Sequence, residues 1–335
     1  MKILIQHAWP FFLAHGGLQT QIEQTKAGLE KLGVEVEYLR WWDDQQTGDI
    51  IQVFGRPGVP LIVMAHQKKI RVVLSDLLTG QGSRPAWKHW LHRWALAGLE
   101  AVCPPIFSSK LSSRAYREAD ACFALTPWEA QLMTTLYRAD AGKIHVIPNG
   151  VEEAFFNAPA RPRGKWLVCT ATITERKRIL ELAEAAVVAK TPLWIIGKPY
   201  SEDDSYFAEF RQLALAHPEL IRYEGPIADR DVLAGIYREA RGFVLLSTME
   251  SLSISALEAA ACEAPLLLTD LPWARVSFGS DASYCPIASI SATAHCLSRF
   301  YQAAPSLSSP AKPLTWVQVT RKMKEIYEAL LSTSR

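Results

Sequence analysis

The sequence has no apolar run long enough to cross a bilayer, which takes about 20 mainly apolar residues. Its first residues, MKILIQHAW, turn polar too soon for a signal peptide and predict a first strand instead. We therefore expect a cytoplasmic protein, with peripheral attachment at the inner face of the membrane as the alternative.

Paired cysteines and convincing metal-ligand spacings are also missing. No Cys-x-x-Cys pair occurs, so the sequence favours reduced, mostly buried thiols over a disulfide framework or a zinc site. The Asp-x-Asp triplet at residues 229–231 is better explained as a helix start capped by Asp229. We expect no metal and no other cofactor. The six cysteines are Cys103, Cys122, Cys169, Cys262, Cys285 and Cys296.

The sequence also lacks a strong net charge. It contains 36 Lys and Arg residues and 34 Asp and Glu residues, which gives a net charge of +2. This balance gives no reason to expect a nucleic-acid partner. With 49% hydrophobic and 21% charged residues the chain is globular, and 335 residues suit two domains better than one core.

What the sequence does contain is a regular alternation of apolar strands and amphipathic helices, typical of parallel α/β sheets. KILIQ, VEVEYL, DIIQVFG and PLIVMAH predict strands in the first half, and LWIIG, GFVLL and PLLLTD predict strands in the second. The proline-rich stretch at residues 158–164 predicts the linker. The predicted boundaries are domains at 1–155 and 165–312, followed by a terminal helix at 313–335.

The most informative stretch is residues 242–273, which predicts a strand, a turn, a helix and a second strand. Glu250 lies at the turn, and Glu258 lies eight residues later, near the same helix face. Ser251 or Ser253 would cap the helix. The two acids could be a turn acid and a surface acid. However, Glu258 lies in an alanine-rich helix, where an unpaired buried charge is costly, and ligand hydroxyls could pair with it.

Three further patterns suit an anionic or polar ligand, each with a plainer alternative. Gly16 and Gly17 open a helix and would let a phosphate approach its N-terminus, or they form an ordinary loop. His66 would end a strand at the ligand crevice, or it is a core histidine. The cations at residues 176–178 oppose a helix dipole and invite an anion, or they form a solvated basic turn.

One tryptophan-rich helix is predicted within residues 84–102. It is either an interfacial helix for an anionic bilayer or a core helix with a solvated basic face. We favour the core helix, because one short helix gives little anchoring. The apolar face of this predicted helix carries Trp87, Leu91, Trp94 and Gly98, and the basic face carries Lys88, His89, His92 and Arg93.

Taken together, these motifs resemble the family 4 retaining glycosyltransferases of the GT-B fold over nearly the whole length. The resemblance rests on their order: HGGLQTQIEQTKAGLEKLG, PLIVMAH, KIHVIPNGVEEAFF, the Glu-x7-Glu pair formed by Glu250 and Glu258, and the terminal LTWVQVTRKMKEIYEALL. It implies two Rossmann-like domains facing a central cleft, an acceptor-binding one first and a nucleotide-sugar-binding one second. The last helix would cross back to the first domain.

The resemblance also implies transfer of a sugar from a nucleotide-diphosphate donor with retention, without a metal. The acceptor would be a glycan, a lipid-linked intermediate or a small molecule, in surface polysaccharide or glycoconjugate synthesis. Lys177 would neutralise the diphosphate, Glu250 would contact the sugar, and Glu258 would bind the ribose. Gly16 and Gly17 would face the phosphates or sugar, His66 would hold the sugar, and Gly197 would border the base pocket.

The sequence departs from the family pattern at three places, and the first two, Thr172 and residues 251–253, belong to the same donor-binding set. Thr172 stands where the family has an arginine, for which Arg176 or Arg178 would substitute. Ser251, Leu252 and Ser253 replace a glycine-rich turn, and Glu263-Ala264 replaces a glycine before Pro265. These departures keep two alternatives open: an inactive nucleotide-sugar-binding scaffold, and a GT-B epimerase or phosphorylase.

Overall fold

Two six-stranded, fully parallel sheets form the framework of a computed structural model that describes residues 1–7, 10–11, 16–82, 84, 86–102 and 112–333. The described residues divide into two compact units. The first holds residues up to 149, apart from 16–17, together with 316–333, and the second holds 16–17 and 150–315.

The first sheet has the strand order β2-β1-β3-β4-β5-β6. Its central strands are buried on both faces, as β3 and β5 are along their whole length, which explains their continuous apolar sequences. The strands are β1 (Lys2–His7), β2 (Glu35–Tyr38), β3 (Ile50–Phe54), β4 (Arg71–Ser75), β5 (Ala121–Ala124) and β6 (Ile144–Val146).

Helices cover this sheet, and the last helix of the chain is one of them. Tyr327 of α14 donates a hydrogen bond to Gln52 Oε1 on β3 at 2.8 Å. Thr320 packs so closely on α1 that a Cβ on Gly28 would lie 2.7 Å from its side chain. The helices are α1 (Gly17–Lys31), α2 (Val59–Gln67), α3 (Thr79–Gly82), α4 (Ala86–Val102), α5 (Ala115–Glu118), α6 (Pro127–Tyr137) and α14 (Trp316–Ser332).

The second sheet has the order β12-β11-β10-β7-β8-β9. Its strands are β7 (Leu167–Thr170), β8 (Leu193–Ile196), β9 (Ile221–Tyr223), β10 (Gly242–Leu245), β11 (Leu266–Thr269) and β12 (Ala282–Cys285). Its helices are α7 (Glu153–Asn157), α8 (Ile179–Val188), α9 (Ser205–Ala216), α10 (Arg230–Glu239), α11 (Ile254–Ala261), α12 (Pro272–Phe278) and α13 (Ile290–Ala303).

These two parallel sheets with flanking helices confirm the predicted α/β, two-Rossmann fold class. The caps also follow the sequence: Asp229 accepts from the backbone N–H of Asp231 and Val232, and so starts α10 as expected. The five described cysteines are unpaired. Cys103 lies outside the described residues. No described helix has both the length and the apolarity needed to span a bilayer.

One predicted strand is wrong, because PLIVMAH folds as part of helix α2. Pro60 sits in the first turn, where proline favours a helix, and Val59, Ile62 and Ala65 form the buried face. A short apolar run cannot be assigned to helix or strand by periodicity alone. The strand that pairs with β3 is β4, whose sequence RVVLS follows the helix.

The favoured interpretation of the tryptophan-rich helix, a core helix with a solvated basic face, is wrong about the apolar side, while Lys88 and Arg93 of the basic face are exposed as expected. Trp87 and Trp94 of α4 are exposed, whereas His89, assigned to a solvated basic face, is buried. His89 Nε2 lies 3.0 Å from the Gln81 carbonyl oxygen, so the imidazole finds a polar partner inside the unit. The helix therefore packs with its histidine side inward and its tryptophan side outward.

Candidate active site

The strand order of the second sheet reverses between β7 and β10. These two strands are neighbours in the sheet, although three helices lie between them in the sequence. In doubly wound sheets, ligands bind outside the carboxyl ends of the strands at such a point. The loop after β7 carries Arg176 and Lys177, and the loop after β10 carries Glu250. The fold therefore brings two cations and a carboxylate to the position where an anionic ligand is expected.

Lys177 and Arg176 both form ion pairs with Glu250. The Lys177 Nζ contacts Glu250 Oε1, and Arg176 Nη1 lies 3.2 Å from the same oxygen. The Lys177 and Glu250 side chains are each 12% exposed, so the pair is largely shielded from water. Both cations expected to contact a donor are therefore in direct contact with Glu250.

Further hydrogen bonds join the two loops. The Thr248 backbone N–H donates to the Arg176 carbonyl oxygen at 2.9 Å, and the Arg176 side-chain Nη1 donates to the Met249 carbonyl oxygen at 2.6 Å. The basic loop and the acidic loop are thus held in register by one backbone hydrogen bond and by the Arg176 guanidinium, so the two cations are in position before a ligand binds.

The charge state of Glu250 follows from this arrangement. Burial raises the pKa of its carboxyl group, but Lys177 and Arg176 outweigh burial, and the net pKa lies below the ordinary value. Glu250 is therefore an anion at neutral pH, and it neutralises part of the positive charge that an incoming ligand would meet.

Arg178 does not join this cluster. The backbone of Arg178 adopts the left-handed conformation (φ 54°) at the N-cap of α8. Arg178 is only 8% exposed, and its Nε lies 3.9 Å from Glu181 in the first turn of that helix. Of the two arginines considered as substitutes at Thr172, Arg176 is the one that contacts Glu250.

The loops after β7 and β8 touch where Gly197 leaves β8. Gly197 has a φ of +151°, and a Cβ there would lie 1.9 Å from the Ala171 carbonyl oxygen. The Ile173 N–H donates to the Lys198 carbonyl oxygen at 3.1 Å. This contact requires glycine and lines up the half-buried Thr172 beside the basic loop.

Thr174 is a residue that the sequence did not single out. It lies between Thr172 and Arg176, and its Oγ1 is buried with no hydrogen-bond partner among the described residues. A buried hydroxyl group without a hydrogen-bond partner destabilises the fold, so a ligand atom that hydrogen-bonds to it would be stabilising.

The three residues that replace the family's glycine-rich turn have different roles. Ser253 is the N-cap of α11, and its Oγ accepts from the Ala256 N–H at 3.3 Å. Leu252 is buried and Ser251 is half-buried. Ser253 was one of the two predicted caps, and its hydroxyl is already engaged by the helix.

Glu263 shows why glycine is usual at its position. It adopts the left-handed conformation with φ 61°, which costs a non-glycine residue about 1 kcal/mol. Its carboxylate forms ion pairs at 3.0 Å with both Arg238 and Lys312. Two ion pairs thus hold the side chain of a residue whose backbone is strained.

Glu258 is 5% exposed and has partners that sequence reasoning missed. Its Oε1 lies 3.4 Å from Arg230 Nη2, and its Oε2 lies 3.4 Å from the Tyr237 hydroxyl. Arg230 is held in turn by Glu152 at 2.7 Å. The expected cost of a buried charge in an alanine-rich helix was the signal that such partners exist.

The pKa of the Glu258 carboxyl is raised from 4.5 to about 7, mainly by burial, with Arg230 opposing the shift and Glu152 adding to it. The two 3.4 Å contacts are long for hydrogen bonds to a carboxylate. Glu258 therefore has unused acceptor capacity and a charge that changes near neutral pH.

Gly16 and Gly17 lie where the sequence placed them, at the start of a helix. α1 begins at Gly17, and Gly16 has a φ of +137°, which favours glycine. Their role in holding phosphate or sugar stays a prediction.

His66 does not lie at the carboxyl end of a strand, and that expectation is wrong. It lies near the end of α2, and its Nε2 is 2.8 Å from Asp120 Oδ2. Asp120 directly precedes β5 and also binds Arg71, the first residue of β4, at 2.9 Å. His66 is therefore at the amino edge of the first sheet, opposite the edge where ligands bind.

Other polar residues occupy the carboxyl edge of the first sheet. Asp76, just after β4, forms an ion pair with Arg56 and accepts from the buried Tyr116 hydroxyl, while Ser75 bonds to Gln52. The cation of Arg56 also lies over the Tyr137 ring, 4.9 Å from its centroid. No sequence motif marks this cluster, because its members come from four separate elements.

A small pocket opens beside this cluster, between the carboxyl ends of β3 to β6 and the helices α1 and α14. Its walls include Phe54, Ser75, Asp76, Leu125, Trp316 and Met323.

The described residues contain no group of three or more histidine, cysteine, aspartate or glutamate side chains that could hold a metal ion. The charged groups at the switch point are Arg176, Lys177 and Glu250, of which two are cations. This set suits a polyanion better than a cation.

Comparison with known proteins gives matches to two family models and to two curated relatives. A family model described as glycosyl transferases group 1 matches residues 164–303, and a glycosyl transferase 4-like domain model matches residues 40–150. Two curated relatives are D-inositol 3-phosphate glycosyltransferases. The one from Jonesia denitrificans is 25% identical over 74% of this chain and 58% of its own length. The one from Actinosynnema mirum is 30% identical over 70% and 55%. The chain thus spans little more than half the length of these two relatives.

A solved structure with a similar fold is that of Anabaena HepE in complex with UDP. It has a TM-score of 0.64 and 14% identity, and the alignment covers 98% of this chain and 100% of that one. At this identity, the similarity shows the fold alone.

Proposed function

Because the chain belongs to the group 1 glycosyl transferases of the GT-B fold, we propose that it transfers a sugar from a nucleotide-diphosphate donor with retention at the anomeric carbon. The observation that carries the proposal is the cluster of Lys177, Arg176 and Glu250 at the switch point of the second sheet. The product would enter surface polysaccharide or glycoconjugate synthesis.

In this proposal, Lys177 and Arg176 bind the diphosphate. Breaking the bond between sugar and phosphate places negative charge on the leaving diphosphate, and fixed cations stabilise that charge most strongly in the transition state. Glu250 turns from its cations toward the hydroxyls of the transferred sugar when the donor binds. Since the two cations supply the charge stabilisation, the reaction needs no metal.

The proposed role of Glu258 is to accept hydrogen bonds from the two ribose hydroxyls. Its long contacts with Arg230 and Tyr237 leave acceptor capacity for them. Gly197 borders the base, and Thr172, Ser251 and Leu252 line the path between base and sugar. The N–H groups of Gly16 and Gly17 face the phosphates or the sugar.

Retention is proposed to follow from attack on the same face that the diphosphate leaves. In this proposal Glu250 binds the hydroxyls of the transferred sugar and does not bond to its anomeric carbon, so no covalent sugar intermediate forms on Glu250. The measurement for this step is the anomeric configuration of the product, read by NMR against that of the donor.

Uridine is the first donor base to test, because the structure of HepE, which has a similar fold, is a complex with UDP. For the acceptor we expect a glycan or a lipid-linked intermediate. The names of the two curated relatives add D-inositol 3-phosphate as a small-molecule candidate to be tested.

The proposal is tested by titrating the full chain with UDP, GDP and ADP and with their sugars in a calorimeter. One nucleotide should bind, and Lys177→Met should weaken it roughly 10- to 100-fold, the loss expected for one charge-assisted hydrogen bond. Lys165→Met is the matched control, because Lys165 is an exposed lysine of the same unit that lies beside Trp166.

Two results would contradict the proposal: no nucleoside diphosphate binds, or Lys177→Met binds as tightly as the parent. Donor breakdown that needs no acceptor, or that requires inorganic phosphate, would instead favour an epimerase or phosphorylase. Binding without turnover on any acceptor would favour a scaffold.

A further inference from the structure

Helix α4 packs on the first unit through its more polar side. His89 is 8% exposed, with its ring 5.9 Å from that of Trp128, and the His92 ring lies 6.3 Å from that of Tyr137. Leu96 packs against the hydrophobic core of the unit. These contacts fix which side of the helix faces inward.

The opposite side of α4 is apolar and exposed. At 100° per residue, Trp87 and Trp94 lie about half a turn from the line of His89 and Leu96. Their exposed fractions are 60% and 61%, and that of Trp90 is 60%. We call this side the tryptophan face. It also includes Leu91 and Val102, which are 50% and 84% exposed.

Positive charges flank the tryptophan face on both sides. On the same helical projection, Lys88 lies beyond one edge and Arg93 beyond the other, and both are exposed. Arg84, just before the helix, is exposed as well. The sequence of α4 contains a single acidic residue, Glu100, in its last turns. The face is therefore apolar at its centre and cationic at its borders.

We propose that the tryptophan face docks this protein on an anionic bilayer surface. Tryptophan is enriched at the boundary between headgroups and acyl chains, and a helix lying there buries its apolar side and keeps its cations at the level of the phosphates. Flanking lysine and arginine residues add electrostatic attraction to anionic lipids. An exposed apolar patch of this kind marks an interaction site in a globular protein.

The sign of the charge favours a bilayer as the partner. Lys88 and Arg93 border the apolar residues with positive charge on both sides, which is complementary to the uniformly negative surface of an anionic bilayer. One consequence of the inference rests on the proposed function: the enzyme would bind a lipid-linked acceptor at the membrane surface. Binding to a bilayer needs neither donor nor acceptor, so the two proposals can fail separately.

The test is co-sedimentation of the full chain with vesicles of phosphatidylcholine, alone and mixed with phosphatidylglycerol. We expect binding to the mixed vesicles that falls as salt is added. Trp87→Gln with Trp94→Gln should weaken it by roughly tenfold or more. The matched control is Trp41→Gln with Trp42→Gln, a second exposed tryptophan pair in the same unit, which are 87% and 72% exposed.

The charges are tested separately. Lys88→Gln with Arg93→Gln should lower affinity for the anionic vesicles about 30-fold and leave the weak binding to phosphatidylcholine unchanged. Thermal melts of each variant show whether it is folded.

Equal binding by the parent and the folded Trp87/Trp94 variant would overturn the proposal. Failure of the parent chain to bind the anionic vesicles would also overturn it, whether the chain is monomeric or dimeric by sedimentation velocity. A dimer that the Trp87/Trp94 change dissociates would assign the face to a second copy of this chain.

Discussion

The surroundings of Glu258 disfavour the ionised form of its carboxyl group. Burial holds the pKa of its carboxyl near 7, while Arg230 and Tyr237 stabilise the ionised form incompletely, through contacts of 3.4 Å. Residues built only for stability are seldom left in this state. The cost is understandable if ribose hydroxyls complete the hydrogen bonding.

We predict that Glu258→Gln weakens donor binding and yet stabilises the protein at alkaline pH. Because the folded pKa is raised above 4.5, the stability that this group contributes is full below pH 4.5 and is lost as pH rises through about 7. At pH 8 the variant should therefore be more stable, on the order of 1–3 kcal/mol, and at pH 4 no more stable than the parent. Denaturant unfolding at both pH values measures this.

Donor affinity supplies the second readout for Glu258. In the parent, affinity should rise with pH through about 7, as the carboxylate becomes charged, and the Gln variant should be weak and flat. Glu209→Gln, at an exposed site on α9, is the control and should change neither quantity. A Gln variant that binds donor normally would remove Glu258 from the site.

Gly197 tests the close approach of two loops. Gly197→Ala would place a methyl group 1.9 Å from the Ala171 carbonyl oxygen, whereas Gly225→Ala meets no atom within 4 Å and carries only the strain of its φ of +82°. We expect Gly225→Ala to cost about 1–2 kcal/mol and Gly197→Ala clearly more. Chemical denaturation compares them, and equal losses would show that the loop moves aside.

Helix α2 shows how one misassigned element moves a side chain to the wrong edge of a sheet. As a strand, PLIVMAH would have pointed His66 toward a ligand. As a helix antiparallel to the strands, it ends at the amino edge, where His66 meets Asp120 and Arg71. The residues at the carboxyl edge are instead Ser75 and Asp76, at the end of β4.

We therefore predict that His66→Ala leaves donor affinity and turnover unchanged and lowers stability by about 0.5–1.5 kcal/mol, the value of one hydrogen bond. Asp120 keeps Arg71 and the Val72 N–H as partners, so its carboxylate is not left unpaired. Steady-state kinetics beside a denaturation curve checks both halves. A loss of turnover above tenfold at unchanged stability would return His66 to the site.

The first unit is assembled from both ends of the chain, and the second from its middle. Tyr327 of α14 bonds to Gln52, which in turn bonds to Ser75, so the last helix completes a buried polar chain. Lys324 Nζ adds a hydrogen bond to the Leu32 carbonyl oxygen. Removing α14 would leave Gln52 with an unsatisfied buried acceptor.

We predict that residues 150–315 fold alone and that residues 1–149 do not. Circular dichroism melts of the two fragments should show a cooperative transition only for the first. Adding a peptide of residues 316–335 to the 1–149 fragment should restore a transition, and the same peptide with Tyr327→Ala should do so poorly. A cooperative melt of 1–149 by itself would contradict this.

The sequence by itself determined the fold class, the strands β8, β10 and β11 of the second sheet, the cap of α10, and the pair of glutamates with their neighbouring cations. These are local properties, since periodicity, caps and spacing are written within one or two elements. The tertiary structure alone decided which side of α4 faces water, which edge of the sheet His66 occupies, and which partners surround Glu258. Those outcomes depend on contacts between residues far apart in the chain, for which a single sequence holds no local signal.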